Sequence, residues 1–391
     1  MKRLVFRTMA LVGVLALASS DAFGVTLSER YGIQLHALVS TVYQYSFNSP
    51  NNSDKVPVRV NVNDPNDISL NQASLFVLRE KEGSPWGAAF TLDFGRVAET
   101  TAADWDGDGL LSSSEETNSF ELREAYVTYT LEGFGGVTLK GGKFVTHHGY
   151  EVIKTWDTLN HNISHSILFG FSIPFTHTGF MATIPLGEMV SLDLGIVNGW
   201  DNVDDNNDGK SFHGGLGIEP SDMMSMYVSG IFGQEQNSIA NGGAGAGSRR
   251  WAITANTVLR PIEDVAFVLD GTYAQENDVL PGRKNAEWYG AAAYGIVQLT
   301  DRVSVAVRSE FFVDSDGVRL ASALANVPSP SGRGVTVWEV TPTLTVDLVP
   351  DYLTARFEYR RDEASQDIFP EGKVGTEDTS NTIAFELIGR I

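Results

Sequence analysis

The chain has 391 residues, no cysteine, and 49 acidic against 28 basic side chains, for a formal net charge of -21. This excess of negative charge argues against nucleic-acid binding, because a phosphate backbone is bound mainly by Lys and Arg. The mean hydropathy of -0.09 and the lack of any run of about 18 apolar residues exclude a helical membrane protein. The same numbers do not exclude a membrane β-barrel, since only every second residue of its strands is apolar.

Residues 1–24 predict a secretory signal peptide. A basic start with Lys2, Arg3 and Arg7 precedes an apolar stretch at 9–18 and a small-residue cleavage site at 22–24. A buried N-terminal helix is the less favoured alternative, because polar, strand-like sequence follows. The mature chain is then expected to be one domain, residues 25–391, and an exported chain without cysteine cannot rely on disulfides.

From Tyr31 onward the sequence alternates apolar and polar residues in segments of about ten. Val303, Val305 and Val307, for example, alternate with Ser304, Ala306 and Arg308. A period of two predicts strands with one apolar and one polar face, and no window shows a convincing amphipathic helix.

The breaks between these segments alternate in length along the chain. Short breaks fall at 81–85, 132–135, 186–188, 219–222, 261–263, 300–301 and 349–351. Long ones fall at 48–67, 99–118, 147–172, 199–211, 235–249, 276–286, 314–334 and 361–379. This order predicts an all-β fold: a single transmembrane antiparallel β-barrel of 16 strands with short periplasmic turns and long extracellular loops. Because the alternation of apolar and polar residues is imperfect near 70–78 and 137–146, a barrel of 14 or 18 strands is not excluded.

Aromatic and charged residues fit the same barrel. Four tryptophans, Trp200, Trp251, Trp288 and Trp338, lie where a predicted strand meets a long loop, as an interfacial girdle would place them. Ordinary core aromatics are the alternative. The mid-strand charges, such as Asp193, Arg308 and Glu358, could not be buried singly in a dry sandwich core, so we expect them to face water in a lumen.

One acidic stretch predicts a calcium site. It runs from Asp104 to Glu115 and has the spacing of a twelve-residue calcium loop, with a glycine at position six. The expected oxygen ligands are Asp104, Asp106, Asp108, the Leu110 carbonyl and Glu115. Without flanking helices, a structural Ca²⁺ that pins this loop is favoured over a sensor, and an acidic solvated loop is the alternative.

The sequence resembles the OmpL-like β-barrel porins of the bacterial outer membrane. The segments that carry the resemblance are 70–73 (LNQA), 124–127 (EAYV), 141–144 (GGKF), 162–166 (NISHS) and 174–179 (PFTHTG). The resemblance implies a passive pore in the outer membrane and brings no residue-level mechanism. The chain departs from the usual pattern of outer-membrane barrels by ending on Ile391 rather than on an aromatic residue.

The third long connection, 147–172, is the predicted constriction. It looks like the inward-folded third loop of sixteen-stranded porins, and it is too apolar at 167–171 to be freely solvated. We expect Glu151 and Asp157 on this loop to face Arg308, Arg356 and Arg360 on the opposite wall, which would create a transverse field. The alternative is that these arginines pair with neighbouring wall carboxylates, such as Glu310 and Glu358.

Five of the seven histidines lie in or beside this loop: His147, His148, His161, His165 and His177. A metal site needs ligands that converge at about 2 Å. If His147 and His148 continue the strand, they point to opposite sides. Pore lining and loop hydrogen bonds are therefore favoured over a transition-metal site.

The predicted function is a porin that passes small hydrophilic solutes and ions by passive diffusion, with outer-membrane lipid as its surroundings. The alternative is a structural or adhesive barrel with a closed lumen. No nucleophile or triad spacing indicates an enzyme. Sixteen-stranded general porins are commonly trimers, so the resemblance also implies a homotrimer.

Overall fold

Sixteen strands of the chain close into one antiparallel barrel. The computed structural model describes residues 27–48, 55–101, 119–207, 209–235, 248–280, 284–320, 334–372 and 375–391. Each barrel strand pairs with its neighbours in sequence, and the last one, β18, pairs with both β15 and β1 to complete the circle. The predicted fold class and the count of 16 strands are therefore confirmed.

The barrel strands are β1 (Ile33–Ser46), β2 (Asp67–Arg79), β3 (Trp86–Phe94), β4 (Phe120–Leu131), β5 (Val137–Val145), β6 (Thr176–Pro185), β7 (Val190–Val197), β8 (Ser211–Ser221), β9 (Met224–Gln234), β10 (Arg249–Ile262), β11 (Val265–Leu280), β12 (Lys284–Thr300), β13 (Val303–Asp314), β14 (Val335–Val349), β15 (Leu353–Ala364) and β18 (Thr379–Arg390). A small hairpin of β16 (Phe369–Glu371) and β17 (Gly375–Glu377) lies between β15 and β18. Short helices include α1 (Arg96–Thr101) and α2 (Ile167–Ser172), and Glu132–Phe134 forms one 3₁₀ turn. Among the described residues, no helix is long and apolar enough to cross a membrane.

Each strand has one lipid-facing and one lumen-facing side. In β15, Phe357 and Tyr359 are 51% and 38% exposed on the outside, whereas Arg356 and Arg360 on the other face are 1% and 0% exposed. Exposed apolar side chains such as Phe180 and Leu269 continue this belt around the barrel. The belt presents apolar surface to the membrane, and the charged residues point inward.

The connections follow the predicted alternation with one exception. The seven short turns lie on the side of the barrel that also holds the start of β1 and the end of β18, where Leu38 pairs with Arg390. Residues 276–286, however, do not form a long loop, because β11 reaches Leu280 and pairs with Lys284 at the start of β12. Polar composition suggested a loop there, but a hairpin that continues beyond the membrane is polar for the same reason.

Two local irregularities explain where alternation fails. In β2 the register shifts between Ser40 and Thr41 of the partner strand, so that Asn71 forms a bulge. In β5, Gly142 has φ +132°, and a Cβ there would lie 2.2 Å from the Ala125 carbonyl oxygen. The bulge at Asn71 changes which face the next side chains occupy, whereas the pairing of β5 continues through Gly142 without a register shift.

The predicted tryptophan girdle is only partly correct. Trp338 is half exposed on the outside, but Trp200 and Trp288 are buried inside, with ring centroids 6.4 Å apart. Trp288 faces the lumen, and its Nε1 donates to the Ser172 carbonyl at 3.4 Å. Position at a strand end does not fix the face, so these two residues were misassigned.

Two sequence predictions lie outside the described residues. They are the signal peptide at 1–24 and the calcium loop with Asp104, Asp106, Asp108, Leu110 and Glu115.

Candidate functional site

The connection between β5 and β6, residues 146–175, lies inside the barrel and is called the inward loop. The Lys154 carbonyl accepts hydrogen bonds from Gln72 of β2 at 2.9 Å and from Arg123 of β4 at 3.2 Å. Across the barrel, Asn162 donates to the Thr341 carbonyl of β14 at 2.9 Å. The inward loop therefore crosses the lumen and contacts opposite walls.

Local sequence explains how the inward loop turns into the barrel. Gly149 has φ +79°, a conformation that residues with a Cβ rarely adopt. The next amide, of Tyr150, donates to Asp270 of β11 at 3.2 Å. Further along, the Ser166 hydroxyl caps α2 by accepting from the Phe169 amide at 3.0 Å, and the apolar face of α2 is buried.

Two buried wall glutamates hold the backbone of the inward loop. Glu358 accepts from the amides of Ile163 and Ser164 at 2.6 and 3.1 Å. Glu310 accepts from the amides of Ile167 and Leu168 at 2.6 and 3.2 Å, at the start of α2. Both side chains are therefore anchors for the loop, each accepting hydrogen bonds from two of its amides.

The three predicted arginines bind the carbonyl groups of the same loop. Arg308 donates to the Ser164 carbonyl at 2.8 Å, and Arg360 donates to the His165 carbonyl at 2.7 Å. Arg356 donates to the Asn162 carbonyl at 3.1 Å. Their charges are balanced by carboxylates within 4 Å: Glu151 and Glu339 for Arg308, Glu386 for Arg356, and Asp362 and Glu339 for Arg360.

The two acidic loop residues of the predicted constriction lie in different places. Glu151 forms a buried ion pair with Arg308 at 2.7 Å. Burial, the largest single effect, would raise the pKa of Glu151, but the Arg308 guanidinium and the other contacts of this carboxylate together outweigh it and the pKa is lowered. Asp157 does not face the arginines as expected, because its exposed carboxylate accepts from the Thr155 hydroxyl at 2.6 Å in a local turn.

A buried lysine, absent from the predicted set, extends these contacts. Lys154 Nζ lies 2.5 Å from Glu386 of β18 and is fully buried. Burial lowers the pKa of Lys154, against the opposing effect of Glu386. No local sequence signal points to this pair, because the two residues are 232 positions apart.

The part of the wall from β4 to β9 nearer the short turns keeps half-buried polar side chains on the lumen side, whereas lumen residues further along it, such as Arg123 and His177, are buried. Lys140 lies over the Tyr126 ring at 4.7 Å, and Tyr227 donates to Asp193 at 2.7 Å. The wall of β13, β14, β15 and β18, by contrast, has its charged lumen residues buried under the inward loop. Space for water and solute is thus expected along β4–β9.

The histidines divide into two groups. His161 and His165 lie in the inward loop. His161 contacts the Tyr150 hydroxyl at 3.1 Å, and Asn61, which is outside this loop, donates to His165 Nδ1 at 3.2 Å. Burial lowers the pKa of His165 to about 4. The other group, called the histidine cluster, comprises His147, His148, His177 and His213.

Comparison with known proteins identifies the family. The family described as "Putative beta-barrel porin-2, OmpL-like" matches residues 32–390. The chain belongs to this family. The resemblance seen in the sequence is therefore confirmed, and this OmpL-like porin is an outer-membrane protein of bacteria. No curated protein matches the chain in sequence.

Solved structures share the fold of this OmpL-like porin at low identity. The outer membrane channel DcaP of Acinetobacter baumannii is 13% identical, with 92% of this chain and 97% of that chain covered and a TM-score of 0.58. OprB of Pseudomonas putida is 9% identical, with 96% and 97% covered and a TM-score of 0.59. The trimer form of OmpT of Vibrio cholerae is 10% identical, with 92% and 99% covered and a TM-score of 0.56.

Proposed function

We propose that this porin-like barrel forms a narrow water-filled channel for passive diffusion of small hydrophilic solutes and ions. The observation that carries the proposal is the inward loop, which buried charges fix across the lumen of a sixteen-stranded barrel. A fixed loop sets a constant channel width, and half-buried polar groups on β4–β9 supply a wet path. The chain then acts by geometry and charge, without catalysis.

The extent of burial beneath the inward loop favours a second candidate, a structural barrel with a closed lumen. Arg308, Arg360 and Glu386 are each 0% exposed, so the loop leaves no water at the wall where these residues lie. The two candidates differ in whether water passes along β4–β9.

Conductance across a planar lipid bilayer tests the proposal. The purified chain is expected to give discrete current steps, and Arg360→Ala is expected to enlarge them by loosening the loop. Arg361→Ala is the matched control, because this neighbouring arginine is 44% exposed in its side chain and pairs only loosely with Glu363, at 3.5 Å. A silent bilayer with correctly folded protein would support the closed barrel instead.

We also propose that Asp104, Asp106, Asp108, the Leu110 carbonyl and Glu115 hold a structural Ca²⁺ in the second long loop. The spacing of these oxygen ligands in the sequence supports the proposal. Ca²⁺ is expected to raise the melting temperature of the wild-type chain and to have no such effect on Asp108→Ala. Equal shifts in both chains would contradict the site.

We further propose a homotrimer, with the apolar belt facing outer-membrane lipid and neighbouring copies. The trimer form solved for OmpT supports this arrangement. Light scattering of the purified protein in detergent, corrected for bound detergent, is expected to give three times the chain mass, and a single chain mass would contradict it.

A further inference from the structure

The histidine cluster lies on the side of the lumen away from the arginine-bearing wall. His147 and His148 begin the inward loop, His177 lies at the start of β6, and His213 lies in β8. Ring centroids are 4.5 Å apart for His147 and His148, 4.8 Å for His147 and His213, and 5.0 Å for His177 and His213. Because β5 ends at Val145, the adjacent histidines are not in a strand and both rings join the cluster.

Most ring nitrogens of the histidine cluster have no hydrogen-bond partner among the described residues. They are both nitrogens of His147 and of His213, Nε2 of His148 and Nδ1 of His177. His148, His177 and His213 are 2%, 1% and 4% exposed. Buried polar atoms are normally satisfied, so a group of unpartnered nitrogens this close together favours a bound ligand.

The surrounding residues orient these nitrogens inward. Ser229 shares a hydrogen bond with Nδ1 of His148 at 2.7 Å and a second with Thr254 at 2.7 Å. Thr146 contacts Nε2 of His177 at 3.2 Å. Metal-bound histidines typically use their second nitrogen in this way, which fixes the ring orientation.

A glycine makes room for His213. Gly195 faces His213 across the β7–β8 pair, and a Cβ at Gly195 would lie 1.9 Å from His213 Nε2. The absence of a side chain at Gly195 thus lets the His213 ring lie against the wall of the barrel.

We propose that His147, His148 and His213 bind a divalent transition-metal cation of the Zn²⁺ class, with His177 placed to serve as the fourth ligand. One nitrogen from each of the first three residues lies within 4.8 Å of the others. Tetrahedral Zn²⁺ with Zn–N of about 2.0–2.1 Å places its ligand nitrogens about 3.4 Å apart. Binding therefore requires the rings to rotate until the most distant pair has closed by about 1 Å or more.

The chemistry of the site excludes a hard cation such as Ca²⁺ or Mg²⁺. Hard cations prefer oxygen ligands, whereas imidazole nitrogen suits Zn²⁺, Ni²⁺ and Cu²⁺. The nearest carboxylate, Asp193, is already held by Thr183 at 2.5 Å and by Tyr227 at 2.7 Å. Lys140 also lies on this wall, and its positive charge partly offsets that of Asp193. The bound ion would join the inward loop to β8.

Metal titration of the untagged, folded barrel in detergent tests this proposal independently of pore activity. Co²⁺ is expected to bind with one equivalent, to give the strong visible absorption of a tetrahedral site, and to lose it when Zn²⁺ is added. His213→Ala is expected to abolish this absorption. Ser229→Ala is expected to weaken binding by about 10-fold, because it removes the hydrogen-bond partner that orients the His148 ring.

Controls separate the histidine cluster from other metal sites and from misfolding. His161→Ala, in the same loop but bonded to Tyr150, is expected to bind Co²⁺ as the wild type does. Gly195→Ala keeps every histidine and displaces the His213 ring, so it is expected to weaken binding in a barrel whose folding is checked by circular dichroism. A wild-type chain with only the weak octahedral spectrum of Co²⁺, or a folded Gly195→Ala with unchanged affinity, would overturn the proposal.

Discussion

Arg308 shows how much a single side chain holds in this barrel. It pairs with Glu151 of the inward loop and with Glu339 of β14, each at 2.7 Å, and it is fully buried. Breaking a buried ion pair by removing one partner leaves an uncompensated charge and costs about 3–5 kcal/mol. The loop position therefore depends strongly on a few such residues.

We expect Arg308→Met to lower the free energy of unfolding by about 3–5 kcal/mol, because Glu151 would stay buried without its partner and Glu339 would keep only the longer ion pair with Arg360. Urea unfolding in lipid vesicles, followed by tryptophan fluorescence, measures the change. Arg361→Met, at an exposed position, is the matched control and should change stability by no more than about 0.5 kcal/mol. Equal effects from the two substitutions would contradict the anchoring role of Arg308.

His165 gives the inward loop a dependence on pH. Burial lowers its pKa to about 4, against an ordinary value of about 6.5, so the folded chain favours the neutral ring. The stabilisation is fully present above about pH 6.5 and is lost as the pH falls through about 4. The shift corresponds to about 3 kcal/mol when the loss is complete.

Melting temperatures measured between pH 7 and pH 4 check this expectation. His165→Gln removes the titrating group, so the variant should lose less stability on acidification than the wild type. Parallel curves for the two chains would show that other groups cause the acid sensitivity.

Residue faces could be predicted from the sequence, but few residue partners could. Period-two alternation correctly placed Arg308, Arg356 and Arg360 on the polar face. The loop partner of Arg308, Glu151, lies 157 positions away, and it was expected there only because the loop resembles the inward-folded loop of porins. No local pattern records such contacts, so Asp157 was wrongly expected to face the arginines and His213 was not associated with the other histidines.

At the level of single elements, β5 depends on Gly142. Its φ is +132°, and a Cβ at this position would lie only 2.2 Å from the Ala125 carbonyl oxygen, so there is no space for another residue. The sequence of β5 looks irregular because the adjacent glycines Gly141 and Gly142 have no side chain that marks a face.

Gly142→Val is expected to disturb the β4–β5 pairing and to lower the yield of folded barrel. The fraction folded is measured by the altered gel mobility of unheated barrels. Gly133→Val is the control, because nothing lies within 4 Å of a Cβ at that turn position. A folded yield for Gly142→Val equal to that of the control would contradict this account.

The ends of strands could be predicted where the sequence changes from apolar to polar at the membrane surface. Where a strand continues as polar sequence into water, its end could not be predicted. The seven short turns follow from polar breaks between apolar segments, as in the turn between Thr300 and Val303. The hairpin of β11 and β12 extends into water, where a polar strand and a polar loop have the same composition. Only the register from Glu276 to Leu280 distinguishes the two.

For the molecule as a whole, the free-energy cost of a charged substitution on the lipid-facing belt depends on its depth in the membrane. Leu269 is the fifth residue of β11 counted from its short turn and is 60% exposed, whereas Leu348 is the second residue of β14 counted from its short turn and is 48% exposed. We expect Leu269→Arg to cost about 2–4 kcal/mol and Leu348→Arg about 0–1 kcal/mol. Unfolding in lipid vesicles measures both, and equal costs would contradict the assigned membrane position.

The path of the inward loop through the barrel also bears on the order of folding steps. Lys154, from the middle of the chain, contacts Glu386 in β18, the last strand, while its carbonyl accepts from Gln72 in β2. Both contacts are present together only when β2 and β18 lie on either side of the loop, as in the closed barrel, and contacts so distant in sequence form slowly. Docking of the inward loop is therefore a late folding event that reports closure of the barrel.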